Sequence, residues 1–189
     1  MMKVDILSER EDDISFYKGV VFKVLKREGL PVNYDNFHTN TVGTNILKGI
    51  EEKTVYFFEG IEKIDVAFYF TDYDDGSCVE KIKEWYEDRL EPIVFCFPNP
   101  HLEKWMCAEQ DAVKNVFGIE GNESLDCSPN PKDHIHRLIR DSDDITKIAR
   151  HYYEEIGKCI NIKKLEDNDR AFREMVRNLR LVEARENLT

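Results

Sequence analysis

The sequence predicts an α/β protein: about four strands in a mainly parallel sheet flanked by helices, with a helical layer after it. Three observations lead there. Up to about residue 100, short β-like runs alternate with helix-spaced apolar residues, the pattern of parallel strands joined by helices. One run, DVAFYFT at 65–71, is apolar on both faces, as a strand covered by helices on two sides must be. Beyond His101 only helical periods remain. Residues 1–100 are thus expected to form the α/β core, and 101–189 a helical extension packed on it.

The elements follow in order. Val4-Asp5-Ile6-Leu7 is the first strand. Ile14, Tyr17, Val20, Val21, Val24 and Leu25 then recur at helical spacing until Gly29-Leu30-Pro31 stops the helix. Residues 34–37 are a weaker second strand, followed by the loop HTNTVG, with Gly43 near the start of a helix carrying Ile46, Leu47 and Ile50. After the 65–71 strand, VEKIKEWYEDR at 79–89 reads as a helix, and residues 92–97 as a fourth strand ended by Pro98-Asn99-Pro100. Four helical pieces complete the chain: HLEKWMCAEQDAVKNVF, KDHIHRLI, ITKIARHYYEEIG and DRAFREMVRNLRLVEA. Pro129-Asn130-Pro131 and the acidic run at 141–144 punctuate them as loops.

Composition narrows the function classes. The 189 residues suit one domain, or one domain with a helical appendage, and 41% hydrophobic content supports a sizeable core. A formal net charge of -11, from 27 basic and 38 acidic residues, argues against a broad nucleic-acid-coating surface but leaves room for a local basic groove. The five cysteines, Cys78, Cys96, Cys107, Cys127 and Cys159, are scattered without a C-x-x-C pair, so neither a disulfide framework nor a zinc site is expected. They read as buried or incidental thiols in a reducing compartment. MMKVDILSERED lacks the features of a signal peptide, and no run approaches the roughly 20 apolar residues that span a bilayer, so the expectation is a cytoplasmic protein with no membrane segment.

The carboxylates are the candidate chemistry. FTDYDDG at 70–76 puts three of them into four residues directly after the most apolar strand. In open parallel sheets, ligands bind where loops leave the carboxyl ends of the strands. SERED, after the first strand, puts Glu9, Asp12 or Asp13 on the same rim if the two strands are neighbours, and Glu103 follows the fourth strand. Converging carboxylates raise one another's pKa unless a cation compensates, and magnesium suits such hard oxygen donors. Each piece also has a plainer reading: DYDDG as a solvated turn, and SERED as a capping box of Ser8 with Glu11. A calcium loop does not fit, because the glycine comes one position early and no glutamate stands at the twelfth position.

Glu9-Arg10-Glu11-Asp12-Asp13 after a strand, and Asp72-Tyr73-Asp74 at the end of a later one, resemble the two motifs of the Toprim fold. That catalytic domain is shared by topoisomerases, bacterial primases and nucleases of the overcoming-lysogenization-defect type. Glu103-Lys104-Trp105 and Ala171-Phe172 resemble features of a group of small Toprim-like proteins often found with ATPase partners. The resemblance implies a nuclease-type, metal-dependent phosphodiester hydrolase acting on nucleic acid and using Mg2+ (or Mn2+). Asp72 and Asp74 would hold one or two ions, Glu9 would be a further ligand or the general base, and Asp13 or Asp75 would support them. A topoisomerase would need a nucleophilic tyrosine and much more chain, so hydrolysis is the expected reaction. Arg10 stands where the family has glycine, and an arginine there can itself contact a phosphate.

The competing expectation is a noncatalytic Toprim-like module that binds a partner protein or nucleic acid, favoured by the acidic balance and by Arg10. A response-regulator receiver uses the same rim, but FCFPNP is not followed by a lysine. Arg170, Arg173, Arg177 and Arg180 form one stripe of the last helix; Arg173 and Arg177 are its nucleic-acid candidates, against the alternative of a salt-bridged solvent face. His134 and His136 are two apart and belong to different helix faces, which argues against a shared metal. Trp85, Trp105 and Phe172 read as core anchors.

Overall fold

The structure, a computed structural model, describes residues 1–41, 64–72, 80–82, 84, 92–121, 124–127, 129–142, 144 and 146–186. Several sequence expectations lie outside the described residues: the helix with Ile46, Leu47 and Ile50, most of the one at 79–89 including Trp85, and Asp74 and Asp75.

Four parallel strands form one sheet: β1 (Val4–Ser8), β2 (Phe37–Thr41), β3 (Val66–Phe70) and β4 (Ile93–Cys96), in the order β2-β1-β3-β4. Every residue of β1 and β3 is buried, as the doubly apolar 65–71 run predicts for β3, and in β1 the burial extends to Asp5 and Ser8. The second strand begins three residues later than its composition suggests. Asn33 accepts a hydrogen bond from the Asp35 N–H and opens a 3-10 turn over Tyr34–Asn36, so the polar stretch FHTNT forms the strand instead. Pairing with β1, from Val4 opposite Phe37 to Ser8 opposite Thr41, sets its position, and hydrophobic pattern contributes little.

Helix α1 (Glu11–Arg27) packs on β1 and β2 and ends as expected at a glycine. Gly29 takes φ 84°, and the Leu30 N–H reaches back to the Leu25 carbonyl at 3.0 Å. Its start differs from the capping-box reading. Ser8 is the buried last residue of β1, Arg10 is the N-cap and makes no side-chain cap, and the acidic first turn of Glu11, Asp12 and Asp13 faces the positive end of the helix dipole.

The helical layer comprises α2 (Glu103–Ala108), α3 (Gln110–Phe117), α4 (Pro131–Arg140), α5 (Ala149–Cys159), α6 (Ile162–Asn168) and α7 (Arg170–Glu186). HLEKWMCAEQDAVKNVF breaks at Glu109, whose buried carboxylate accepts the Asn161 N–H at 3.1 Å. Helix α7 packs on β4 through an apolar face that includes Phe172, Val176 and Leu179. Trp105 and Phe172 are fully buried edge to face, as the core-anchor reading expects. The Trp105 indole N–H donates to Asp169 at 3.1 Å, and the same carboxylate oxygen accepts the Phe172 N–H at the start of α7.

Helices α1 and α5 cross where glycine faces glycine. A Cβ on Gly19 would stand 2.6 Å from the Gly157 carbonyl carbon, and one on Gly157 would stand 2.5 Å from the Phe16 carbonyl oxygen. The obstacle in both cases is backbone, so this approach needs glycine on both sides.

The cysteines differ from expectation. Cys107 and Cys127 form a disulfide with their Cα atoms 6.1 Å apart, tying α2 to the loop that precedes α4, while Cys96 is a buried free thiol and Cys159 an exposed one. The fold, not sequence spacing, brings the pair together. Among the described residues no helix is long and apolar enough to cross a membrane.

Candidate active site

The strand order reverses direction between β1 and β3: the chain leaves β1 for β2 on one side, and β3 lies on the other. In open α/β sheets, ligands bind outside the carboxyl ends of strands at such a switch point. Ser8 is opposite Phe70 in the register, so the next residues, Glu9 and Thr71, emerge side by side. The Thr71 hydroxyl donates to the Glu9 carboxylate, which fixes the orientation of that acid.

Three further acids reach this rim. Asp72 follows Thr71, Asp13 points in from the first turn of α1, and Glu103 opens α2 just past β4. Asp72 and the His101 ring lie within hydrogen-bond distance, 3.1 Å at Nδ1. Glu103 is buried; it accepts a hydrogen bond from the Tyr153 hydroxyl of α5 at 2.9 Å and lies 3.6 Å from His136 Nε2 of α4. Asp13 is only 8% exposed, and its carboxylate has no hydrogen-bond partner among the described residues.

The electrostatics follow from this crowding. Burial pushes the Asp13 carboxyl up to about 7, with Glu103 and Asp72 adding repulsion and Arg10 and Lys132 opposing it. Asp72 is also raised, first by burial and then by Glu103 and Glu9, while His101 pulls it down. Burial and the adjoining Glu103 raise the Tyr153 hydroxyl, so it stays a donor. Near neutral pH the rim thus holds several carboxylates within mutual influence, with burial favouring the protonated form of Asp13.

Of the sequence-predicted site residues, Asp13 and Asp72 each lie within electrostatic reach of the other and of Glu103, and Asp72 within reach of Glu9, while Arg10 and Asp12 line a cavity of about 290 Å³ beside Asp13, Tyr153, His136 and Arg140. Asp74 and Asp75 lie outside the described residues. Arg173 and Arg177 do not join the rim cavity. Arg173 donates to the Glu166 and Asp167 carbonyls near the end of α6, while its stripe neighbours Arg170 and Arg180 pair with Glu174 and Glu28. Thr71, His101 and Tyr153 escape sequence reasoning, and His136, considered there only for a metal shared with His134, comes to the rim beside Glu103 instead. His101 alone carried a usable signal, as a histidine directly after the turn that ends strand four.

Hard oxygen donors dominate the set, which suits magnesium or manganese better than softer metals. Among the described residues, no three His, Cys, Asp or Glu side chains are arranged to hold a metal ion. Comparison with known protein families, with curated proteins and with solved structures finds no match.

Proposed function

We propose that this chain is a Toprim-like, metal-dependent phosphodiester hydrolase acting on nucleic acid. One observation carries the reading: the buried Asp13 carboxyl has no donor and sits under the influence of Asp72 and Glu103 at a sheet switch point. A buried acid left in that state is expensive unless a proton or a cation neutralises it. Glu9 and Asp72 are the described residues that would hold the ion, with Asp74 as the third donor that the motif supplies and Asp13 or Asp75 behind them. Bound there, Mg2+ or Mn2+ would polarise phosphoryl oxygens and lower the pKa of a water.

The chain's own residues then have distinct tasks. Thr71 keeps one Glu9 oxygen engaged and leaves the other either to join the ion or to take a proton from an attacking water. His101 holds Asp72 in place, and Tyr153 does so for Glu103. Arg10, at the N-terminus of α1, offers a bidentate donor to a phosphate where the family uses glycine backbone.

A second reading, a noncatalytic Toprim-like binding module, is favoured by two observations. No three ligating side chains converge among the described residues, and Asp72 and Glu103 already have donors. Calorimetric titration of Mg2+ and Mn2+ into the wild type and an Asp72→Ala/Asp74→Ala variant separates the two readings when paired with cleavage of single- and double-stranded DNA and RNA. The hydrolase reading expects a metal heat and a cleavage activity that the double variant loses. Metal-independent behaviour identical in both proteins leaves the binding module.

A further inference from the structure

Helix α4 carries Lys132, His136 and Arg140 at intervals of four residues, which places them on one face, each about 6 Å further along the axis. Two observations aim that face at the carboxylate rim. His136 Nε2 stands 3.6 Å from Glu103, and Lys132 lies close enough to Asp13 to exert a small opposing attraction on it. Ile135 and the partly buried Ile139 seat the helix against the core, so the orientation is fixed by packing.

The face borders open space. His136 and Arg140 line both the cavity of about 290 Å³ that contains Arg10 and Asp13, and a second of about 510 Å³ running along α4 past Arg137. Two cavities sharing a wall make a groove that leads from the exposed side of α4 to the buried acid. Neither the Arg10 nor the Lys132 side chain has a hydrogen bond or ion pair among the described residues. Arg140 meets only its neighbour Asp141 at 3.0 Å, an exposed pair of the kind that contributes little. Acids are present as well: Asp133 is tied to Asn130 at 2.8 Å, and Asp12 lies at the rim end.

We propose that this groove is the track on which the phosphodiester backbone of a nucleic-acid strand lies as it enters the rim, with His136 and Arg140 on one wall, Arg10 on the other, and Lys132 one turn before His136 on the same face of α4. The assignment rests on the phosphodiester reading of the rim and names where its substrate runs. A line of evenly spaced donors flanked by the cations Lys132 and Arg140 fits a chain of phosphates better than a single small anion, which would occupy only one end. Confinement of the cations to one groove also reconciles an anionic ligand with a protein of net charge -11.

The test is anisotropy of a fluorescein-labelled oligonucleotide, single-stranded and duplex, in EDTA so that cleavage does not intervene, over a range of salt concentrations. Lys132→Glu/Arg140→Glu should weaken binding at least tenfold at low salt. The milder Lys132→Gln/Arg140→Gln should lower the salt slope by about 1.4 for a single strand, as loss of two phosphate contacts requires. Thermal melts of each variant check that it folds. Unchanged binding in both variants, no binding by the wild type, or a loss appearing instead in Arg173→Glu/Arg177→Glu overturns the track. Metal heats measured on the same proteins keep the two ideas apart: they fail if the rim reading is wrong and persist if only the track is wrong.

Discussion

Asp13→Asn should stabilise the protein at pH 8, although it alters the proposed active site. The folded state holds the Asp13 proton up to about pH 7, whereas an unperturbed aspartate releases it near 3.8. Between those values folding takes up a proton, so this group's contribution to stability falls as the pH rises from about 4 to 7. The gap of about three pH units corresponds to a ceiling of about 4 kcal/mol. Relaxation and water penetration reduce the ceiling, and a gain of about 2 kcal/mol in the asparagine variant is the expectation, a rise of about 4–8 °C in Tm for a chain this long. Urea and thermal melts of both proteins at pH 4, 6 and 8 in EDTA measure it. The two curves should draw together toward pH 4, where the wild-type carboxyl is protonated in the folded state and nearly half protonated in the unfolded one. Millimolar Mg2+ should then raise the wild type at pH 8 and leave the variant nearly unmoved. A variant no more stable than wild type at pH 8, or a difference of the same size at pH 4, would refute the claim that Asp13 is buried without a compensating partner.

The other predictions concern the scaffold. Gly157→Ala, whose Cβ would stand 2.5 Å from the Phe16 carbonyl oxygen, should cost about 2–3 kcal/mol in urea melts because two helix backbones must separate; a loss below about 1 kcal/mol would show that α1 and α5 part easily. Asp169→Ala removes the acceptor for the Trp105 indole and the cap of α7, and should cost about 3 kcal/mol, while Asp169→Asn, which keeps an acceptor, recovers most of it; tryptophan fluorescence during unfolding reads both. Reduction of the Cys107–Cys127 disulfide, which spans 20 residues, should lower stability by up to about 3 kcal/mol, and Cys107→Ser/Cys127→Ser should melt identically with and without reductant.

The features legible in the sequence were those encoded locally. Val4 to Leu7, the 65–71 run and the apolar periods of α1 and α7 are set by burial on a fixed period, and the exit at Gly29 by one backbone conformation. The shared rim of Glu9, Asp13 and Asp72 was legible because parallel strands deliver their carboxyl ends to one side whatever else the fold does. The position of β2 was not, since polar FHTNT becomes a strand only through its ladder with β1. The break at Glu109 depends on Asn161, and the disulfide on a loop folding back over α2, and neither partner is signalled by its own neighbourhood. His136 and Tyr153 belong to the same class: each is one residue of an ordinary amphipathic helix until α4 and α5 dock beside Glu103.

That division also explains why the rim has one unsettled acid. Glu9 is served by Thr71 from the neighbouring strand, Asp72 by His101 from beyond β4, and Glu103 by Tyr153 from α5. Each donor arrives from a different part of the fold and settles one charge. Asp13 lies between them, on a helix whose packing against α5 is fixed by the Gly19 and Gly157 contact, so it cannot withdraw toward solvent without moving α1. A fold that only needed to bury this corner would be more stable with an asparagine or a leucine there. Retaining a buried ionisable group that has no donor among the described residues is the arrangement expected where a ligand, and not the protein, completes the charge balance.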